Sequence, residues 1–593
     1  MDAKKKSHVP RFTADFETTT DEDDCRVWAW SICSINEKFE FFYGNDIATI
    51  FDFFQEHGNA KYYYHNLKFD SQFLLNYMFA NGFTYNDDKE HPRPHTFCTL
   101  ISSMGSWFSM DIWLDRDNKG KLRHVQILDS MKILNFSVKQ IAKDFDLPIS
   151  KLELDYKAKR EIGHILTPHE IDYIRNDVEI VARALNIMFE QGFTKMTIAS
   201  DAIGEYKKLN KAFLNYFPEL PLDIDAEIRE SYKGGFTYLS PKYADVKLGS
   251  GMTLDINSMY PSMMYNEPMP IDYPKIFSGE YEDDPEYPLY VIMFSCSFDL
   301  KKGKIPSIQL KRNIMFRPNE YIESTNGEVV DLCLTSIDYK LFREQYNVEN
   351  ITFKGGYKFK QATGLFKSYI DKFMQMKIES KKAGNKAQTR IAKLFLNSLY
   401  GRFGLNPNTG KKIPVYAEGR LAYKIELAKE GDRKPVYIPV ASFITSYARA
   451  FIIRSSQMVR DWSLEHKGFD AYVYSDTDSM KVLLDKSDLE ELSSVIPVDD
   501  YELGKWAWEE SWVAWKGIRQ KCYLEQLEDG TMVATIAGMP KHLAPLITFD
   551  NFKIGFTTAE LDPEKVNECG GYKLRYKHVN GGVILADTDF TIK

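Results

Sequence analysis

Asp15-Phe16-Glu17-Thr18 places two carboxylates two residues apart in a β-rich run. A strand repeats every two residues, so Asp15 and Glu17 share one face and Phe16 takes the other. His65-Asn66-Leu67-Lys68-Phe69-Asp70 brings a third acid. The fourth, Asp177, follows Tyr173 by four residues in Tyr173-Ile174-Arg175-Asn176-Asp177, so phenol and carboxylate lie on one helix face. Hard divalent cations such as Mg²⁺ take carboxylate oxygens. Two of them flanking a phosphate generate hydroxide and stabilise the leaving oxygen. Each acid alone would read as ordinary surface. The ordered set predicts a 3′–5′ exonuclease site, with Tyr173 orienting the attacking water.

A second set lies further along. Asp255-Ile256-Asn257-Ser258-Met259-Tyr260-Pro261 ends an apolar run, and Tyr474-Ser475-Asp476-Thr477-Asp478-Ser479 reads as the tip of a β-hairpin. Acids on adjacent strands can share a metal pair that binds a nucleoside triphosphate and lowers the pKa of an attacking hydroxyl. The Ile256 carbonyl offers one more oxygen ligand. Between the two motifs, Phe366–Arg402 carries nine Lys or Arg against two acids. Lys386, Arg390, Lys393, Asn397 and Tyr400 recur at three or four residues and form one stripe. Ile391, Leu394, Phe395 and Leu399 oppose it and read as core. The stripe suits triphosphate oxygens beside a base pair; a solvated helix face is the alternative. Thr445-Ser446-Tyr447-Ala448-Arg449 offers a hydroxyl and a guanidinium for phosphates. Lys521 and Tyr523 face one side of a predicted strand. These last two motifs fit ordinary surface equally well.

The elements that must carry these groups change character along the chain. Strand-like stretches (Arg11–Thr18, Arg26–Ile35) and helix-like ones (Ser71–Ala80, Pro168–Gly192) alternate over the first 198 residues, predicting an α/β domain. Thr167-Pro168-His169-Glu170 is a capping box with Pro at the first helical position. After Ser231-Tyr232-Lys233-Gly234-Gly235, strands and turns dominate to about residue 360. A basic helical hairpin follows over 365–404, then a loop-rich piece over 405–437, more α/β material, and a β-rich tail.

Composition excludes several classes. With 593 residues, 44% hydrophobic and 27% charged, the chain reads as a soluble globular protein of about three to five domains. No apolar run is long enough to span a membrane, and MDAKKKSHVP lacks the apolar segment of a secretory signal. Seven scattered cysteines without a CxxC pair argue against a thiolate zinc site and fit a reducing compartment. The net charge of −8 would not by itself suggest a nucleic-acid partner.

In order, DFETTT with DCRVWA, HNLKFD, YIRND, YKGGFT, DINSMYP, KLFLNSLYG, TSYAR, YSDTDS, RQKCY and the terminal DTDFTIK resemble the family B DNA polymerases. The likeness is closest to the protein-primed branch from small tailed Bacillus phages, and it spans the whole chain. It implies an α/β and α+β multidomain fold: a ribonuclease H-like 3′–5′ exonuclease domain plus a right-hand polymerase with two protein-priming insertions. The segments would be exonuclease 1–198, palm 199–266, insertion 1 at 267–363, fingers 364–404, insertion 2 at 405–437, palm again 438–536, and thumb with tail 537–593. Insertion 1 would dock a terminal protein; insertion 2 would enclose DNA for processive, strand-displacing synthesis.

On this resemblance Asp15, Glu17, Asp70 and Asp177 hold the exonuclease metals, assisted by Tyr173 and Lys151. Thr18, His65, Asn66, Phe69, Ser130 and Tyr156 cradle the single-stranded 3′ end, where aromatic stacking tolerates any sequence. Asp255 and Asp478 hold the polymerase metals and Asp476 supports them. Tyr260 excludes a 2′-hydroxyl; Lys372, Lys377 and Lys393 grip the triphosphate; Asn397 and Tyr400 line the nascent pair. Tyr232, Gly234, Gly235, Ser258, Thr445, Arg449, Lys521 and Tyr523 hold primer and template. The implied cofactor is Mg²⁺, two per site, with Mn²⁺ substituting. The implied partners are DNA primer-template, single-stranded DNA, dNTPs and a phage terminal protein, met by a monomer in the cytoplasm of an infected bacterium. The chain departs from the family pattern at Thr389, where a lysine is expected beside Arg390, and at Glu153, where an aspartate is expected. The loop at Lys381–Ala387 is longer and the segment after Tyr523 shorter. An RNA-primed cellular-type polymerase, a non-enzymatic DNA scaffold and an exonuclease without synthesis are the alternatives.

Overall fold

The computed structural model describes residues 9–156, 158–310, 320–407, 410–417, 420–427 and 436–593. Arg11–Thr18 is a central strand of an eight-stranded mixed sheet, antiparallel to Val27–Ser34 and parallel to Ala60–Tyr64. Both of its faces are covered. Phe12, Ala14 and Phe16 sink into a core with Tyr62 and Tyr64. Thr13, on the other face, donates its hydroxyl to the Val178 carbonyl at 2.8 Å. Val178 belongs to the helix Pro168–Glu190, whose capping box forms in full: Thr167 Oγ1 accepts from the Glu170 N–H, and the Glu170 carboxylate accepts from the Thr167 N–H. Gly192, at φ +84, turns the chain out of it.

The helix predicted from Ser71 starts earlier, spanning Leu67–Ala80, with Asn66 at φ 77 as its N-cap. The cause is distant in sequence. Asp129 Oδ1 accepts from the N–H groups of Asn66 and Leu67 at 3.2 and 3.4 Å, supplying the cap that Asn66 itself does not. This early start puts Asp70 in the first turn.

Gly251–Ile256 sits inside a seven-stranded sheet, antiparallel to both Ser479–Val482 and Trp506–Arg519. The long helix Ile438–His466 packs behind it. The stretch expected to be strands and turns contains a four-stranded sheet, but also two helices, Met259–Asn266 and Ser336–Gln345. Pro261 masks the first of these in the sequence; it falls in the opening turn, where its missing N–H costs nothing. The basic hairpin forms as Lys367–Lys382 and Lys386–Phe403. The piece expected to be loop-rich instead pairs Lys411–Ala417 with Arg420–Glu426. Leu421 from this hairpin, and Val583 and Ile584 from the terminal hairpin Lys573–Val579/Gly582–Thr588, complete the core of the first sheet. Among the described residues no helix is long and apolar enough to cross a membrane, and all seven cysteines are free.

Candidate active sites

The first acid cluster assembles from three elements. Asp15 and Glu17 come from the central strand, Asp70 from the first turn of Leu67–Ala80, and Asp177 from the capped helix. One carboxylate oxygen each from Asp15, Glu17 and Asp177 lies within 4.8 Å of the others. Burial raises all four carboxyls, and neighbouring acids raise Asp15, Glu17 and Asp70 further; Asp15 is pushed up to about 7. Lys151 donates to Asp177 Oδ2. Lys151, and Arg160 acting on Glu17, face four carboxyls, so the acids outnumber the cations here. Asp70 Oδ1 and Asp177 Oδ1 are enclosed yet lack a hydrogen-bond partner. Oxygen donors, excess negative charge and orphaned buried oxygens fit a hard divalent cation. The Tyr173 hydroxyl is buried beside Asp177 and lies 2.8 Å from the Tyr156 hydroxyl.

The expected cleft residues lie beside this cluster, in two layers. His65, Asn66 and Phe69 are half-buried and Tyr156 is exposed; Thr18 ends the central strand. Ser130 is fully buried and bonds His65 Nδ1 and the Tyr64 carbonyl. In this structure it reaches the cleft through His65, which it helps to orient.

The second cluster comes from neighbouring strands of one sheet. Asp255 pairs in register with Ser479, one residue beyond Asp478, and the Ile256 N–H donates to the Asp478 carbonyl at 2.8 Å. Burial, then Asp478 and Glu509, push the Asp255 carboxyl up to about 7. Burial also raises Asp478. Two raised carboxyls beside a third acid fit the same kind of cation. Asp476 faces differently: Lys521 stands 3.1 Å from Oδ1, and the Thr237 hydroxyl donates to the same oxygen at 3.2 Å. Tyr260 and Tyr400 pack at 4.2 Å beside Tyr232. Gly235 passes so close that a Cβ there would meet Thr477 Cγ2 at 2.7 Å and the Tyr260 hydroxyl at 3.1 Å. Ser258, at φ 52, caps the helix that carries Tyr260. Tyr523 stacks on Trp515 at 5.8 Å.

The basic hairpin divides its cations. Lys393 and Asn397 are exposed; burial, then Lys393, lower the Lys377 ammonium, so these two lysines face each other. Ile391, Leu394, Phe395 and Leu399 are buried as expected. Other members of the hairpin make contacts that spacing does not foresee. Lys372 donates to Glu205 Oε2 at 2.8 Å and is already paired. Lys386 and Arg390 leave the stripe and pair with Asp146 and Asp144 of the first domain. Thr389 turns inward to Ser380 Oγ at 2.8 Å. The TSYAR motif does likewise. Thr445 is 1% exposed and donates to its own helix carbonyls. Arg449 is buried on Asp338 and donates to the carbonyls of Lys233 and Gly234 at 2.7 Å each. It fastens the YKGG turn, so its hold on DNA would run through that turn.

Two groups escape sequence reading. Glu509 occupies a register shift of Trp506–Arg519, where Thr253 faces Glu510 and Leu254 faces Trp508, and it joins the field of Asp255 and Asp478. The acidic WAWEES run was its only signal. Tyr576, in the terminal hairpin, accepts from Asn66 Nδ2 at 3.3 Å, and Lys68 Nζ stands 4.8 Å over its ring. No local pattern announces a contact across that span.

Residues 54–483 match the model of the family described as DNA polymerase type B, organellar and viral, and the chain belongs to that family. The DNA polymerase of Bacillus phage B103 is 40% identical over 607 residues, covering 99% of this chain and 100% of the relative. That of Bacillus phage phi29 is 39% identical, with 99% and 100% covered. The solved structure of phi29 DNA polymerase with primer-template DNA and incoming nucleotide substrates matches with a TM-score of 0.88 at 37% identity, covering 99% of this chain and 100% of that one. The fold is thus the multidomain exonuclease-plus-polymerase fold, as the sequence motifs implied.

Proposed function

We propose that this chain is a DNA-directed DNA polymerase that replicates a linear phage genome from a protein primer. It displaces the downstream strand and proofreads through a separate 3′–5′ exonuclease site. The observation that carries this reading is two separate groups of buried carboxyls in two different sheets, Asp15, Glu17 and Asp177 in one and Asp255 with Asp478 in the other. The full-length likeness to phi29-type polymerases supports it.

In the palm, Asp255, Asp478 and the Ile256 carbonyl would hold Mg²⁺, which when bound neutralises triphosphate charge and acidifies the primer hydroxyl. Lys377 and Lys393 bind the triphosphate. The Tyr260–Tyr400 pair, packed at 4.2 Å with Gly235 against the Tyr260 hydroxyl, would lie under the incoming sugar and base and exclude a 2′-hydroxyl. Lys521 holds Asp476 and, with Tyr523, faces the primer. In the exonuclease domain, Asp15, Glu17, Asp70 and Asp177 would hold the cations. His65, Asn66, Phe69, Tyr156 and Thr18 bind the frayed end, and Tyr173 with Lys151 orients water. We assign the domain boundaries as given by the sequence, with 267–363 receiving the terminal protein and 405–437 enclosing DNA. The protein works as a monomer in the cytoplasm of the infected host.

The test is priming without an oligonucleotide. With terminal protein, template, Mg²⁺ and α-labelled dATP but no oligonucleotide, labelled dAMP should be transferred to a hydroxyl of the terminal protein with release of pyrophosphate. A primed single-stranded circle should then be copied past one lap. Extension of an oligonucleotide with no transfer to the terminal protein would favour the RNA-primed alternative.

A further inference from the structure

The basic hairpin turns two cations away from the palm. Arg390 lies flat over Phe136, with Cζ 3.7 Å from the ring centroid, and its Nε stands 3.0 Å from Asp144 Oδ2. This is an ion contact and not an aligned hydrogen bond: both atoms are enclosed, and neither has a hydrogen-bond partner. One turn earlier, Lys386 Nζ donates to Asp146 Oδ1 at 2.9 Å. Phe136, Asp144 and Asp146 belong to one short segment of the exonuclease domain. It runs from Phe136 through the Ser137 cap and the helix Val138–Asp144 to a turn at Asp146 with φ +53.

The same segment reaches the trimming cleft. His65 Nε2 lies 2.6 Å from the Phe136 carbonyl. A carbonyl only accepts, so Nε2 carries a proton. Nδ1 lies 2.9 Å from the Ser130 hydroxyl, whose one proton goes to the Tyr64 carbonyl at 3.0 Å. The orientation of the His65 ring is therefore set by the backbone of the residue whose ring Arg390 covers.

We propose that Arg390 is a positioning residue that ties the fingers hairpin to the exonuclease domain, so that the fingers' position sets how firmly the cleft holds a frayed 3′ end. The proposal deepens the proofreading reading above and rests on it. A planar guanidinium seated between an aromatic face and a carboxylate is a directional contact that a lysine would not reproduce. The Lys386–Asp146 pair is exposed and screened, so it contributes little. When the hairpin swings away, Phe136 loses its cover, and its carbonyl loses the fixed place that orients His65. The effect falls on binding of the strand end; the four acids are untouched.

The test uses the full chain with Arg390→Gln, Asp144→Asn, Arg390→Asp, and the exchange pair Arg390→Asp with Asp144→Arg. Single-strand trimming is measured at steady state. Arg390→Gln and Asp144→Asn should each raise the KM for single-stranded DNA about threefold to tenfold, with kcat within about twofold, as expected for loss of one coupling contact. The exchange pair should bring KM back toward the parent value, which a general loss of folding would not do. An unmoved KM in Arg390→Gln, or an exchange pair no better than Arg390→Asp alone, overturns the proposal. The parent chain is the control. Absence of trimming there defeats the proofreading reading itself, whereas trimming with an unmoved KM defeats only the coupling.

Discussion

The two acid clusters use the same side chains in opposite ways. In the first domain four carboxylates come from a strand and two helices, outnumber the cations facing them, and keep two enclosed oxygens without partners. In the palm two carboxylates come from neighbouring strands, and the third member of the motif, Asp476, is already tied to Lys521 and Thr237. The first cluster is a deep, over-charged socket. The second lies on the edge of neighbouring strands, with Lys521 as the cation beside it. A trimming site must grip one strand end without selecting its sequence. A building site must admit a new triphosphate at every step.

The sharpest way to break this contrast is to remove one acid from each side. Asp478→Asn should lower primer extension about 10²-fold or more while single-strand trimming persists, and Asp15→Ala should do the reverse, as for loss of a key electrostatic group. Equal loss of both activities in either folded variant would mean that the sites are not separate. Next in size, Lys393→Gln should lower extension by about 10²-fold at limiting dNTP and leave trimming at parent rate; gel assays on one primer measure both.

Acidity distinguishes the clusters from ordinary surface acids. The Asp15 and Asp255 carboxyls are both pushed up to about 7, by burial first and a nearby aspartate second. The unfolded chain releases these protons near pH 4. Between those values the folded protein binds more protons than the unfolded one, so stability falls as pH rises from about 4 to 7. With chelator present, the melting temperature should drop across that window. Mg²⁺ should cancel the drop, and Asp15→Asn should reduce it. A flat profile with and without Mg²⁺ would contradict the raised carboxyls. Smallest of all, Glu509→Gln should relieve the charge beside Asp255 and shift the Mg²⁺ requirement of extension by about a few-fold, with no change in trimming.

Much of this was legible because the chemistry is written in short local motifs. Strand alternation places Asp15 with Glu17, a helical turn places Tyr173 with Asp177, and the capping box fixes the helix between them and the core. What was not legible depends on contacts between distant segments. Asp129 starts a helix four residues early at Asn66. Asp144 and Asp146 draw Arg390 and Lys386 off a stripe that helical spacing had made continuous. Asp338 holds Arg449, whose type suggests a phosphate. In each case an acid far along the chain decided which way a polar group turned, and no periodicity encodes that choice.

Val583 and Ile584 lie in the same core as Ile50, Phe54 and Leu74. The first sheet is therefore closed by a hairpin that folds back from far along the chain. Loosening that hairpin, by Val583→Asp for instance, would open a core whose other walls lie hundreds of positions away.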